Sequence, residues 1–169
     1  MGGSVMIGGV DPSTTYDAVR IAGAADSALV GRLLFDFNTE FETPTPSAEE
    51  FAARFAHLLG RDDVLVLLAE DGGQTATGFA YLTLRPTPYG DGPLAQLEEL
   101  YVVPPLRDRG IGTALLTRAV TEVGGRGAIE VHINVDEVDV DTRRFYERHG
   151  FVNIEPGTDY RMLCYLREL

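Results

Sequence analysis

The sequence predicts a mixed α/β fold with one central sheet in which most strands run antiparallel. Short turns such as Asp71–Gly73 link the strand-like segments in the middle of the chain. The second half alternates helix-like and strand-like segments, and a glycine-bearing loop joins an apolar strand to a helix near Gly110. A doubly wound parallel sheet is excluded, because every parallel neighbour would need a long crossover connection.

The first half of the chain predicts two helices and four strands. Ala18–Ala22 alternates apolar and polar residues, as a strand does, whereas Gly23–Phe37 carries its apolar residues at helical spacing. Ser47 followed three residues later by Glu50 is typical of a capping box at the start of the second helix. The other strands are predicted at Val64–Leu68, Thr77–Arg85 and Leu94–Val103.

The second half predicts helix, strand, helix and two final strands. Gly110–Val123 is apolar along one helical side, and Ala128–Val135 alternates strictly. Asp141–His149 is predicted as a helix that ends at Gly150. Two more strands, which bring the total to about seven, are predicted at Phe151–Ile154 and Tyr160–Leu166.

Composition limits the classes of partner. The net charge of −12 repels nucleic acid and favours cationic small molecules. One cysteine, Cys164, and three histidines without ligand spacing predict no metal site. The absence of a long apolar run and of a signal-peptide pattern predicts a cytoplasmic protein that does not bind membranes. Residues 1–16 are expected to form a flexible tail and residues 17–169 a single domain.

The segment Leu94–Leu116 combines features of an anion-binding site. A strand ends at Val103, and a loop with glycines leads into a helix whose first N–H groups have no partner. Arg107 and Arg109 add positive charge to an otherwise acidic chain. These features predict a phosphate-bearing ligand. The glycine spacing fits neither a P-loop nor a dinucleotide-binding fingerprint.

The pattern Arg107-x-x-Gly110-x-Gly112 resembles the pyrophosphate-binding motif of the GCN5-related N-acetyltransferase (GNAT) superfamily. The segment Phe145–Phe151 resembles the late helix of that family and the strand after it, and the element order over Ala18–Leu169 also agrees. The resemblance implies a GNAT fold, with four helices on both faces of a sheet that splays at its central parallel pair. It also implies acyl transfer from coenzyme A to an amine.

The resemblance further implies where acetyl-CoA, as co-substrate, would bind. The pantetheine arm would lie between the strand that ends at Val103 and the strand that begins near Ala128. A backbone N–H at the end of the first strand would then act as an oxyanion donor. Where the family often has Asn seven residues before the tyrosine, this chain has Asp139. The implied cofactor-binding residues are Tyr101, Val102, Val103, Arg107, Asp108, Arg109, Gly110, Ile111, Gly112, Thr113, Asp139 and Tyr146.

Glu98 and Glu99 are the candidates for a general base. They lie in a predicted central strand between Leu97 and Leu100, and burial there would raise a carboxyl pKa toward the range of a useful base. On a regular strand the two side chains point to opposite faces, so only one faces a given pocket unless a bulge intervenes. The sequence leaves open which one acts, and whether the pair only binds acceptor charge.

The resemblance assigns to Tyr146 the role of general acid toward the leaving thiolate. Candidate acceptor-binding residues are Phe37, Glu40, Tyr81 and Glu98. Acidic and aromatic groups together suit a cationic amine, and a solvated helix end above a core phenylalanine would give the same pattern at Phe37 and Glu40.

The function predicted from these residues is direct acetyl transfer, in a ternary complex, from acetyl-CoA to a primary amine of a cationic small molecule. The alternative is a non-catalytic acyl-CoA-binding module, which would have no need of the carboxylates or of Tyr146. Many proteins of the family are dimers, so the resemblance also makes Tyr160–Leu166 a candidate edge of a homodimer.

Overall fold

The structure is a computed structural model that describes residues 18–42 and 44–167. The predicted tail, residues 1–16, lies outside this part of the chain. The chain divides into two compact units, one up to residue 131 and one from residue 132 onward. Each unit is described by itself below.

The first unit contains most of one sheet and three helices. Its strands are β1 (Ala18–Ile21), β2 (Val64–Glu70), β3 (Ala76–Arg85) and β4 (Leu94–Val102), and its helices are α1 (Ser27–Glu40), α2 (Ala48–Leu58) and α3 (Ile111–Gly125). A fifth strand, β5 (Glu130–Ile133), begins in this unit. The strands lie in sequence order, antiparallel from β1 to β4, and β5 runs parallel to β4. The predicted mixed sheet is confirmed.

Helices α1 and α2 cover one face of the sheet. The predicted capping box starts α2: the Glu50 N–H donates to Ser47 Oγ at 3.2 Å, and the Ser47 N–H donates to the Glu50 carboxylate at 2.8 Å. The two helices pack closely at Gly31 of α1, where an added Cβ would lie 2.5 Å from the Ala52 backbone nitrogen. The buried core on this face comprises Ala22, Val30, Leu33, Leu34, Phe51, Phe55, Val64, Val66, Leu68, Phe79 and Tyr101.

Helix α3 packs against β2, β3 and β4 through Leu115, Ala119 and Val123, which are fully buried. With helices against both of its faces, β2 is buried from residue 64 to residue 69. This explains why its sequence is a continuous apolar run, and it confirms the prediction of a strand covered on both sides.

The second unit contains the end of β5 and one helix, α4 (Val140–Arg148). The Asp139 carboxylate caps α4 by accepting the Thr142 N–H at 3.2 Å. No helix among the described residues is both long and apolar enough to cross a membrane.

The two final strands were predicted wrongly. The described residues form five strands and not about seven, because 151–154 and 160–167 lie outside any strand. One backbone hydrogen bond, from the Met162 N–H to the Asn153 carbonyl at 2.7 Å, joins the two segments. Apolar side chains here, such as Leu163 and Tyr165, are mostly exposed. Their alternation therefore has no buried face to fix a register, and the candidate dimer edge at 160–166 is not a strand.

Gly31→Ala is expected to destabilise the protein. The added methyl would overlap α2 backbone at Ala52 and Ala48, and overpacking of this kind costs about 1–3 kcal/mol, which lowers the Tm by roughly 5 °C. The matched control is Gly124→Ala in α3, where nothing lies within 4 Å of the added Cβ. It should raise the Tm slightly, because alanine favours helix. Thermal unfolding followed by circular dichroism measures both, and a Gly31→Ala Tm at or above wild type would contradict this packing.

Candidate active site

The loop between β4 and α3, together with the first turn of α3, presents six consecutive backbone N–H groups that have no partner in the described part of the chain. Within the described residues, none of the N–H groups from 108 to 113 donates to a backbone or side-chain acceptor. The first bond after the loop runs from the Ala114 N–H to the Gly110 carbonyl at 2.9 Å. Unpaired donors at the positive end of a helix dipole attract an anion, so the predicted phosphate site has the donors that it requires.

Two residues in the left-handed region shape this loop. Gly110 has a φ of 85° and Asp108 a φ of 60°. Glycine adopts this conformation without strain, and aspartate is among the few other residues that tolerate it. Ile111 is buried beneath the loop, whereas Arg109 and Thr113 are exposed. The loop is thus anchored by its apolar side chain, and its polar residues face solvent.

The side chain of Arg107 is held on three sides. Its Nε donates to the Val102 carbonyl at 3.0 Å, and Nη1 and Nη2 donate to the Glu40 carboxylate at 2.6 and 2.7 Å. The guanidinium also lies over the Tyr101 ring, 5.7 Å from its centroid. The Glu40 contacts raise the pKa of Arg107, and burial, more than the nearby carboxylates, raises that of Tyr101.

The last residues of β4 differ in the direction of their backbone groups. The Val103 N–H donates to the Thr77 carbonyl of β3 at 3.0 Å, so it is already paired. Because successive residues of a strand point their N–H and C=O groups in opposite directions, those of Val102 point away from β3. The Val102 carbonyl bond to Arg107 agrees with this direction.

A β-bulge interrupts the regular pairing of β4 with β3 at the two glutamates. Tyr81 of β3 lies opposite Glu99, and the next residue, Leu82, lies opposite Leu97, so Glu98 is the extra residue. Leu97 is buried with Leu82. The bulge therefore allows the leucine on its N-terminal side to keep the α3 face while the glutamates take the other face.

Glu98 and Glu99 lie together on the face that carries α1 and α2. The Thr83 hydroxyl donates to the Glu98 carboxylate at 2.5 Å. Thr83 shares its face of β3 with Tyr81, whose ring packs edge-on against Phe55 of α2 with 5.5 Å between centroids. The prediction that a bulge would be needed to bring both carboxylates to one face agrees with this geometry.

The environments of the two carboxylates differ. Glu98 is exposed and Glu99 is half-buried. Burial first, and the charge of Glu98 second, raise the pKa of Glu99 to about 7. Burial and Glu98 also raise the pKa of the Tyr81 hydroxyl. Glu99 is thus a carboxyl group that exchanges its proton near neutral pH, which is the property required of a general base.

The predicted acceptor residues fall into two groups. Tyr81 and Glu98 lie beside Glu99, as described above. Phe37 instead packs on the Tyr101 ring with 5.2 Å between centroids, and Glu40 is paired with Arg107. Thr83 was not predicted from the sequence. The one feature that could have indicated it is a hydroxyl side chain two positions after Tyr81, on the same face of the strand.

The remaining predicted residues lie in the second unit. Tyr146 is 6% exposed, and its ring packs against Phe145 and Phe151 with 5.1 and 5.5 Å between centroids. Asp139 is used as the N-cap of α4.

Two further features of the described residues bear on ligands. A group of three or more His, Cys, Asp or Glu side chains that could hold a metal ion does not occur in the described part of the chain. An open cavity of about 610 Å³ lies at the end of β3 and the start of β4, and Asp63, Asp91 and Arg126 are among its lining residues. It contains none of the predicted site residues, because the anion-binding loop follows the other end of β4.

The chain belongs to the Acetyltransferase (GNAT) family, whose sequence profile matches residues 31–151. It is therefore an acyl-CoA-dependent N-acetyltransferase, and the resemblance seen in the sequence is confirmed.

Relatives and solved structures agree with this family. The chain is 36% identical over 121 residues to glucosamine 6-phosphate N-acetyltransferase 1 of Oryza sativa subsp. japonica, covering 68% of this chain and 71% of that protein. It is 44% identical over 71 residues to aminoglycoside N(6')-acetyltransferase type 1 of Klebsiella aerogenes, covering 40% and 44%. A crystal structure of an Arthrobacter sp. FB24 protein assigned as an acetyltransferase has a TM-score of 0.85 and 48% identity, and covers 94% of this chain and 100% of that one.

Proposed function

We propose that the protein transfers the acetyl group of acetyl-CoA directly to a primary amine of a cationic small molecule, within a ternary complex. The observation that carries the proposal is the bulge in β4, which gathers Glu98 and Glu99 on one face beside Tyr81. Two carboxylates and an aromatic ring attract a protonated amine. A net charge of −12 acts in the same direction over longer distances.

The relatives support an amine acceptor of this kind. One is named for glucosamine 6-phosphate and another for aminoglycosides. Both are small molecules with amino groups, but only the aminoglycosides are purely cationic. Because the site residues described here are acidic, we expect an acceptor without a phosphate group to bind better.

The loop from 107 to 113 fits the phosphates of acetyl-CoA. Its six unpaired N–H groups, from Asp108 to Thr113, can each donate to a phosphate oxygen, and Gly110 leaves room for close approach because nothing lies within 4 Å of a Cβ added there. Arg107 and Arg109 add positive charge at the same place. The Asp139 carboxylate is already used as a helix cap, so we assign it no phosphate contact.

Bound acetyl-CoA supplies the acetyl group as an activated thioester. Of the three residues at the end of β4, we assign the oxyanion role to Val102, because the Val103 N–H is bonded to β3 and that of Val102 points away from it. An aligned N–H that stabilises developing negative charge is commonly the largest single contribution in acyl transfer.

Glu99 is the proposed general base, and Glu98 the proposed binding charge. Glu99 accepts the proton of the incoming ammonium, directly or through water, since its pKa of about 7 places it closer to the pKa of an amine than an ordinary carboxyl group is. Glu98 accepts a hydrogen bond from the Thr83 hydroxyl and is exposed to solvent, from which a cation arrives. The raised pKa of Glu99 favours catalysis over the alternative of a non-catalytic acyl-CoA-binding module.

Tyr146 is the proposed general acid. Its hydroxyl gives a proton to the leaving thiolate, whose pKa lies below that of a phenol by a small margin. The buried ring, packed between Phe145 and Phe151, has little freedom to rotate away. We also propose a cytoplasmic location. Gel filtration with light scattering tests whether the protein is a homodimer or a monomer.

Glu99→Gln is expected to lower kcat/KM for amine acetylation by about 100-fold, measured on a panel of polyamines and aminoglycosides with mass-spectrometric detection of the product. Wild-type kcat/KM should rise as the pH passes through about 7, because Glu99 must lose its proton to act. The matched variant Glu98→Gln should lose less activity and should shift that rise to lower pH, because it removes a charge that raises the Glu99 pKa. Wild-type activity of Glu99→Gln at every pH would contradict its role as base.

Tyr146→Phe is expected to lower kcat by about 100-fold while the KM for acetyl-CoA stays near the wild-type value, because the phenol is needed only as the thiolate leaves. Tyr89→Phe is the control, since Tyr89 is 91% exposed in the first unit and has no proposed role. If Tyr146→Phe turns over as fast as the control at every pH from about 6 to about 9, the tyrosine is excluded as the acid. This range of about three units includes the thiol pKa.

A further inference from the structure

A bidentate ion pair joins the end of α1 to the loop after β4. Nη1 and Nη2 of Arg107 donate to the two oxygens of Glu40 at 2.6 and 2.7 Å, across 67 positions of sequence. The side chains are partly shielded from water, with exposed fractions of 40% for Arg107 and 29% for Glu40. Two parallel charge-assisted bonds fix direction as well as distance, in a way that a single contact does not.

The same guanidinium is held by two more contacts. Nε donates to the Val102 carbonyl at 3.0 Å, and the Tyr101 ring lies beneath the group. Three of the five N–H donors of Arg107 are thereby used within the protein. The orientation of the first residue of the anion-binding loop is therefore set by Glu40 together with the end of β4.

We propose that Glu40 is a positioning residue for acetyl-CoA, which acts through Arg107, and that it does not bind the acceptor amine. The inference rests on the proposed function, because it takes residues 107–113 as the cofactor loop. A carboxylate whose two oxygens both accept from one guanidinium is already neutralised and offers a second cation little attraction. Ordering Arg107 before the cofactor arrives reduces the ordering cost of binding.

The test compares four single variants and one double variant of the full chain. Glu40→Gln and Arg107→Gln each remove one partner, and Arg107→Lys keeps the charge but not the planar fork. The control is Arg32→Gln, which breaks another ion pair of α1, with Asp36 at 3.1 Å, and leaves the bonds between Glu40 and Arg107 in place. Thermal unfolding of each variant verifies that it is folded at the assay temperature.

We expect the first three variants to raise both the KM and the calorimetric Kd for acetyl-CoA by roughly fivefold, with the KM for the amine unchanged. The double variant Glu40→Gln/Arg107→Gln should bind no more weakly than Arg107→Gln alone, because both substitutions break one unit. Arg32→Gln should match wild type.

Three results would overturn the inference. If Glu40→Gln binds acetyl-CoA as tightly as wild type or more tightly, Glu40 competes with the cofactor for Arg107 or has no role. If Glu40→Gln raises only the KM for the amine, Glu40 is an acceptor ligand. If Arg107→Lys binds like wild type, charge alone is sufficient and the paired geometry has no importance.

A measurement without ligand separates this inference from the proposed function. Hydrogen–deuterium exchange of the ligand-free protein should be faster in peptides covering 101–112 for Glu40→Gln than for wild type or Arg32→Gln, because the loop loses its tie to α1. Equal exchange would contradict the positioning role even if acetyl-CoA binds. If exchange is faster in Glu40→Gln but the wild-type protein does not bind acetyl-CoA, the contact between Glu40 and Arg107 is supported as a structural link. The cofactor site and the proposed function are then rejected.

Discussion

The extra residue in β4 at Glu98 determines how the proposed active site is built. Two neighbouring carboxylates in a regular strand would face opposite layers, and one of them would point into the apolar layer beneath α3. The bulge lets Leu97 stay buried on the α3 side while Glu98 and Glu99 share the other. A local break in hydrogen bonding is thus compensated by keeping both charges out of the apolar layer beneath α3.

The middle of β4 and the loop that follows its end carry opposite charges. The middle of β4 carries two carboxylates, whose proximity raises the pKa of Glu99, and its end leads to six unpaired N–H groups and to Arg107. In the proposed function, a protonated amine is attracted to the first position and a phosphate to the second. Because β4 pairs with strands on both of its sides, its backbone sets the distance between the two positions, as the proposed direct transfer between two ligands bound at once requires.

Much of the fold was predictable, because the information was local. The capping box at Ser47 and the apolar run of β2 each determine their element within a few residues. The prediction of two final strands was wrong because it rested only on the alternation of apolar and polar residues. Side chains such as Tyr165 are exposed in the structure, so these segments have no buried face. A strand needs a neighbouring strand to pair with and a buried face that fixes its register. The alternation of apolar and polar residues provides neither.

Some features of the candidate site were likewise predictable from local sequence, and others were not. The glycine loop and the two glutamates were visible in the sequence, because each is a short pattern with a chemical meaning. The choice between Glu98 and Glu99 was not, since it depends on burial and on the register of β3 against β4. The pair of Glu40 with Arg107 spans 67 residues, and no pattern within either segment indicates it.

The most direct test of this account is an amide NMR titration of the ¹⁵N-labelled protein with coenzyme A. We expect the largest shifts on the backbone amides of residues 108–113, because their unpaired N–H groups would receive the phosphates. Saturable binding that leaves these six amides unshifted and perturbs the cavity near Asp63 and Arg126 instead would contradict it.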